Sequence, residues 1–368
     1  MFFLDIMALN MKRILYDLTF VGDGRVSGVE RFAIEISENL VNDNETEITV
    51  AVPKGFDGRN NLVNYIYLPF RNKMACHLIL PFYIFWGRYD SVLLPAFPPA
   101  IFSYIAYFFG KCEFNRVVHD VVYWQQKSTI PNKAKFYLKP LEEFWLSRYK
   151  KIITVSEYSK LAIENVLGLK NVAVCPNGVS SVFLRDSKIK NRTKSFRVIS
   201  VGTIEPRKNY RFLIDLFLEI EKKYPSAELV ICGRAGWGYS DLLEKLNSLK
   251  SKPRIKVLSN LSDEELDLQY QNADFFVYPS LEEGFGIPIV EAMSYGLPVV
   301  ASNNSAITEV VAKYGVLLDS YRVSEWVESL VAIAENQDRY ESFSQLSIER
   351  SKQFSWKESA LKMIRLLK

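Results

Sequence analysis

Apolar residues along this chain keep two alternating rhythms. Short β-branched runs recur, and each is followed by a longer stretch with apolar positions three and four apart. Strand then amphipathic helix, repeated, is the pattern of a parallel sheet covered by helices. The first half predicts strands at Arg13–Leu18, Glu47–Val52, Ser91–Leu94, Arg116–His119 and Lys151–Val155. A first long helix spans Gly28–Val41, with Val29, Phe32, Ala33, Ile36 and Leu40 on one face. The second half repeats the alternation with strands at Phe196–Val201, Glu228–Cys232, Ile255–Leu258, the run Phe275–Tyr278 after Asp274, and Pro298–Ala301. Helices are expected near Tyr210–Lys223, Ser240–Ser248, Asp263–Asn272, Ile287–Tyr295 and Ser305–Ala312.

Arg185–Ser195 is polar and basic without apolar periodicity, and reads as a linker. The expected organisation is therefore one α/β domain over 1–184, a second over 196–355, and a helical, basic end over 356–368. Two doubly wound domains place ligands at the carboxyl ends of their strands, facing one another across a cleft.

Composition narrows this picture. A chain of 368 residues, 48% apolar and 24% charged, supports two cores of ordinary size and excludes a disordered chain. Four cysteines (Cys76, Cys112, Cys175, Cys232) show no C-x-x-C pairing and read as core thiols of a reducing compartment. With only His77 and His119, a histidine-rich metal centre is excluded. Met1–Asn10 lack the basic start and apolar core of a secretory signal, so a cytosolic chain is expected.

Charge is uneven. Residues 71–150 hold eleven Lys/Arg against five Asp/Glu, and 19 of the 50 aromatic side chains. Within them, Val92–Phe109 is 18 residues of mostly apolar character, but Pro95, Pro98 and Pro99 break it as a spanning helix. Two readings stand: a face lying at a membrane interface, or a buried strand at Ser91–Leu94 followed by a core helix over Ala100–Phe109. No nucleic-acid partner is expected.

The candidate chemistry gathers in the second half. Glu283 and Glu291 stand eight residues apart, about two helical turns, so they are expected to project toward the same side. Gly284 and Gly286 allow close backbone approach, and Pro288 suits a first helical turn. Amides around Phe285, Gly286 and Ile287 then offer a phosphate site, and the flanking carboxylates suit sugar or ribose hydroxyls. Arg207 and Lys208, between a strand and a helix, suit the charge of a departing diphosphate. Gly233-Arg234 forms another loop after a strand. His119-Asp120 ends a strand of the first half, where Asp120 could orient the ring or act near an acceptor. Gly28 opens the first helix, but the glycines at 22, 24 and 28 miss the dinucleotide spacing G-x-G-x-x-G. Ser156-Glu157 reads as a helix cap, and Asn303-Asn304 as a turn.

Glu283-Gly-Phe-Gly-Ile-Pro-Ile-Val-Glu291 resembles the E-x7-E signature of the retaining glycosyltransferases of family 4, which have the two-domain GT-B fold. Val201-Gly-Thr-Ile-Glu-Pro-Arg-Lys-Asn209, Val155–Ser159 and Cys175–Val179 resemble further passages of that family in its order. The likeness is strong over 151–302 and weaker before. It implies donor diphosphate on Arg207 and Lys208, ribose on Glu291, and transferred sugar on Glu283 and His119. It also implies the nucleotide near Gly233 and Arg234, sugar or acceptor near Gly28, and a last helix crossing back to the first domain. The implied activity is metal-independent hexosyl transfer from a GDP- or UDP-linked sugar, mannose or similar, to a glycan or undecaprenyl-linked acceptor of cell-surface polysaccharide. A sugar-nucleotide hydrolase or epimerase, and a non-catalytic carbohydrate-binding subunit, are the alternatives.

Overall fold

The computed structural model describes residues 11–22, 27–100, 102–121, 142–183, 195–249 and 254–368. Two compact units divide the chain: Met1–Asn177 with Trp356–Lys368, and Gly178–Ser355.

The first unit holds β1 (Lys12–Asp17), β2 (Thr46–Val52), β3 (Asn64–Tyr67), β4 (Ser91–Leu94), β5 (Glu113–Val117), β6 (Lys151–Thr154) and β7 (Val172–Val174). They form one sheet in the order β3-β2-β1-β4-β5-β6-β7, every pair parallel. Its helices are α1 (Gly28–Asn39), α2 (Lys73–Gly87), α3 (Ser103–Gly110) and α4 (Glu157–Leu167). Ser27 and Glu30 close a capping box at the start of α1, and the Ser156 hydroxyl caps α4.

The second unit repeats the plan with β8 (Arg197–Val201), β9 (Glu228–Cys232), β10 (Ile255–Leu258), β11 (Phe275–Tyr278), β12 (Val299–Ser302) and β13 (Val316–Leu318). Their order is β10-β9-β8-β11-β12-β13, again all parallel. The helices are α5 (Tyr210–Lys223), α6 (Tyr239–Asn247), α7 (Asp263–Asn272), α8 (Ile287–Ser294), α9 (Ser305–Val311), α10 (Val323–Ala334) and α11 (Gln337–Ser351). Helix α12 (Trp356–Leu367) belongs to the first unit, where the Trp356 ring meets Phe32 edge-on and Cys175 Sγ donates to Ser359 O.

Strand order reverses direction beside β1 in one sheet and beside β8 in the other. The connections after β8 and β11 therefore run to opposite sides of the sheet, and both loops begin at this switch point. Such a switch point is where an open α/β sheet takes its ligand.

Three departures from the sequence reading matter. Gly178–Phe183 belong with the second unit, because Val179 bridges Ser355, Phe183 O accepts the Ser294 hydroxyl, and the Phe183 ring meets Tyr270 and Tyr295. The expected linker falls almost wholly outside the described residues. Its last residue, Ser195, donates to Asp274 in the second unit. β3, β7 and β13 join the sheets at their edges as three- and four-residue strands, too short for alternation to mark them.

Candidate functional site

Arg207 and Lys208 lie just past β8, in a single 3-10 turn over Pro206–Lys208. Pro206 presets the first turn, and Asn209 takes the left-handed conformation that ends it (φ 55°). The loop after β11 is stitched to this turn: Leu281 N donates to Arg207 O at 2.7 Å, and Ser280 Oγ to the same carbonyl at 3.1 Å. That places Glu283 directly beneath both cations.

The Glu283 carboxylate is the hub. Its Oε1 accepts from Lys208 Nζ at 2.5 Å, Ser280 Oγ at 2.6 Å and the Tyr278 hydroxyl at 2.9 Å. Its Oε2 accepts from Arg207 Nη1 at 2.9 Å. Lys208 also donates to the Tyr278 hydroxyl at 2.7 Å, and Glu205 holds Arg207 Nε at 2.5 Å. Ser305 Oγ accepts the Glu283 amide, and Asn304 donates to Ser280 O. Both Lys208 and Glu283 are buried.

Burial alone raises a carboxylate's pKa. Here Lys208 and Arg207 overcome it and bring Glu283 down from 4.5 to about 2. Lys208 is itself lowered by burial and by the adjacent Arg207 charge, with Glu283 offsetting part of that. Glu283 is thus an ionised acceptor at neutral pH and cannot serve as a proton donor.

The helical-phase argument for the glutamate pair does not apply. Glu283 precedes α8 and lies outside it, and only Glu291 is on the helix. Glu291 is buried in a second network, where its Oε2 accepts the Tyr270 hydroxyl at 3.0 Å and Tyr270 stacks on Tyr295. The structure therefore joins Arg207, Lys208 and Glu283 by hydrogen bonds, and gives Glu291 a separate anchor.

The glycines differ in what they require. A Cβ on Gly233 would sit 1.9 Å from Gly202 O, so the loops after β8 and β9 cross backbone to backbone there. Gly286, the N-cap of α8, has φ 96°, and a Cβ would press on Ile289. Pro288 follows in the first turn, Phe285 packs on Phe354, and Ile287 opens the helix. Gly284 lies between Glu283 and Phe285, partly exposed. Arg234 is exposed, with its carbonyl fixed by Ile204 N. At Gly28 a Cβ would meet nothing within 4 Å, so packing does not demand that glycine.

His119 and Asp120 belong to the first unit, just past the end of β5. His119 Nε2 lies 2.9 Å from Pro95 O, which fixes the proton on that nitrogen and leaves Nδ1 as the acceptor. Burial holds the ring neutral, lowering its pKa to about 4, with the nearby Arg116 charge adding to the effect. Asp120 is partly buried beside it.

Glu205, Tyr278, Ser280, Asn304, Ser305 and Tyr270 were not singled out as ligands. Glu205 had a visible signal, a carboxylate two residues before a cation. Tyr278 and Ser280 lie five and three residues from Glu283, whereas Asn304, Ser305 and Tyr270 meet their partners only through the fold.

A glycosyl transferases group 1 model matches residues 184–350, and a glycosyltransferase family 4 model matches residues 26–182. O-antigen chain mannosyltransferase B of Escherichia coli is 34% identical over 172 residues, 46% of this chain and 44% of that protein. O-antigen chain mannosyltransferase RfbU of Salmonella typhimurium is 27% identical over 232 residues, 62% of each. The matches thus span less than two thirds of either relative. Sucrose-phosphate synthase of Thermosynechococcus elongatus superposes with a TM-score of 0.74 at 15% identity, covering 96% of this chain and 98% of that one. Matched by the two models in tandem across 26–350, and built from two Rossmann-like domains of the GT-B class, the chain belongs to the group 1 and family 4 glycosyltransferases.

Proposed function

We propose that this protein is a retaining hexosyltransferase that moves mannose, or a close relative of it, from a nucleoside diphosphate donor to a lipid-linked glycan of cell-surface polysaccharide. The observation that carries it is the cluster at the second sheet's switch point, where a carboxylate held ionised sits against Arg207 and Lys208. Mannose as the sugar, with GDP as its carrier, and the polysaccharide setting are suggested by the two mannosyltransferase relatives.

In this reading Arg207 and Lys208 take the diphosphate as the bond from the anomeric carbon to phosphate oxygen breaks. The acceptor oxygen forms its bond to that carbon on the same face, and its proton passes to the departing phosphate oxygen. Charge placed in advance where the leaving group develops its own is commonly the largest catalytic contribution. The two cations supply that charge without a bound metal. Glu283 and His119 meet sugar hydroxyls, Glu291 meets the ribose, and the amides of Gly284 to Ile287 meet phosphate. Gly233 and Arg234 border the nucleotide, while Gly28 and Asp120 border the sugar or acceptor.

The test is a donor panel. Purified protein with GDP-mannose, UDP-glucose, UDP-galactose and UDP-N-acetylglucosamine, with and without a prenyl-linked glycan, is assayed for nucleotide release in the presence of EDTA. Acceptor-dependent release from GDP-mannose with an α-linked product is expected. Release that ignores the acceptor would make the chain a hydrolase, and absence of release from every donor would remove the reading.

A further inference from the structure

Helix α2 is apolar on two sides. Cys76, Leu80 and Ile84 point into the first unit's core, as an amphipathic helix should. Yet Met74, Leu78, Phe82, Phe85 and Trp86 recur at three- and four-residue spacing and are all exposed. They form one continuous stripe along the solvent side. Helix α3, packed beside it, adds exposed Phe108, Phe109 and Tyr104, with Phe102 just before its start. The Phe82 ring lies 5.8 Å from Trp86 and 6.2 Å from Phe102, which merges the two stripes into one patch. Trp86 and Phe109 are the most open, at 74% and 76%. Scattered exposed apolar residues need no account, but nine large ones on two neighbouring helices do.

The charges on the two helices and at their ends have one sign. Neither helix contains an acidic residue, and the exposed cations Lys73, Arg88 and Lys111 stand at the helix ends. Lys73 pairs with Glu30, while among the described residues no carboxylate pairs with Arg88 or Lys111. The neighbouring Asp90 carboxylate is taken up by the Arg13 amide.

We propose that this α2–α3 face is a docking surface for an anionic phospholipid bilayer. Aromatic side chains with cations at their rim match a layer of headgroup phosphates over an apolar interior. A second copy docked on the same face would set the cations against each other. Among the described residues no helix is long and apolar enough to cross a membrane, so the mode is lying on the surface, with the aromatic tips inserted. Its purpose rests on the lipid-linked acceptor proposed above, while its evidence is independent of that reading. Of this region β4 is core, as one sequence reading expects, and the outer sides of α2 and α3 are exposed.

The test is co-sedimentation of the full chain with vesicles of phosphatidylglycerol and phosphatidylethanolamine, or of phosphatidylcholine alone. The wild type is compared with Trp86→Glu/Phe109→Glu and with Arg88→Glu/Lys111→Glu, both at positions open enough to leave the fold intact. Wild-type binding to anionic vesicles is expected to fall as salt rises. The aromatic pair should weaken it at least about 30-fold, and the charge reversal about tenfold. Failure of the wild type to sediment with anionic vesicles at low salt would overturn the proposal. So would unchanged binding by the aromatic variant, or a wild-type dimer that this variant dissolves. A thermal shift with GDP-mannose on the same proteins keeps the two ideas apart. Vesicle binding without a donor shift would leave the surface standing and the donor reading fallen, and the reverse would do the opposite.

Discussion

Replacing Lys208 by Ala removes one side of the buried cluster and separates its structural from its chemical role. The fall of Glu283 from 4.5 to about 2 corresponds to about 3 kcal/mol favouring the ionised form in the folded protein. Because this pKa is depressed, the stabilisation is complete above about pH 4.5 and is lost as pH falls toward 2. Lys208 is the larger of the two cationic contributions to it. Removing Lys208 leaves Glu283 buried but still bound to Arg207, Ser280 and Tyr278. The cost is therefore less than the full value of a broken buried pair, about 2–3 kcal/mol at pH 7. Adding Glu283→Gln keeps the shape and removes the stranded charge, which should return at least about half of that loss. Turnover should not return with it, because the leaving diphosphate still lacks a cation. In both proteins kcat is expected to fall on the order of 10²–10³-fold. Urea unfolding and steady-state nucleotide release read the two quantities separately. If activity recovered in step with stability, Lys208 would be a structural partner of Glu283 and the leaving-group reasoning would be refuted.

Three further outcomes follow from single contacts. Gly233→Ala forces a methyl to within 1.9 Å of Gly202 O, so thermal unfolding should show a loss above about 3 kcal/mol or no folded protein, whereas Gly28→Ala should be within about 1 kcal/mol of wild type. Tyr270→Phe removes one donor from the Glu291 carboxylate, and the donor KM should rise about three- to tenfold with kcat little changed. A fall in kcat alone would contradict the ribose assignment. His119 is held neutral in the fold, with a pKa of about 4 against its ordinary 6.5, so its stabilisation is present above about 6.5 and is lost as pH drops toward 4. At pH 5 that amounts to at most about 2 kcal/mol, and His119→Asn should flatten the acid side of the urea-unfolding profile.

How much of this was legible depends on where each signal lives. The two sheets were written in alternation, because buried parallel strands such as β8, β9, β11 and β12 are mostly apolar runs set between helices. Arg207, Lys208 and Glu283 were legible as local motifs, but the wiring among them was not. Tyr278 and Ser280 are five and three residues from Glu283, but Arg207 and Lys208 reach it only when β11 lies beside β8, and Ser305 only when the loop after β12 folds back. Helical spacing misled for Glu283, since Gly286 starts α8 three residues later and breaks the phase. Helix α2 was hidden for a different reason: apolar on both sides, it has no clear stripe, and periodicity finds only helices that are polar somewhere.

The same cluster shows how opposite charges that neutralise one another can share one buried site. Glu205, Arg207, Lys208 and Glu283 sum formally to zero, so Lys208 and Glu283 can be buried without the penalty an unpaired charge would carry. Without Glu283, Arg207 and Lys208 would repel each other, and the contacts to Glu205, Glu282 O and Tyr278 hold each of them only singly. The carboxylate thus holds the two cations together, as a bound anion would on the proposed reading. On the proposed reading, an incoming diphosphate would find both cations already placed and would share hydrogen bonds that now converge on Oε1 and Oε2. Low pKa is what makes this workable, since a carboxylate that took up a proton as the diphosphate approached would release both cations just when their positions matter.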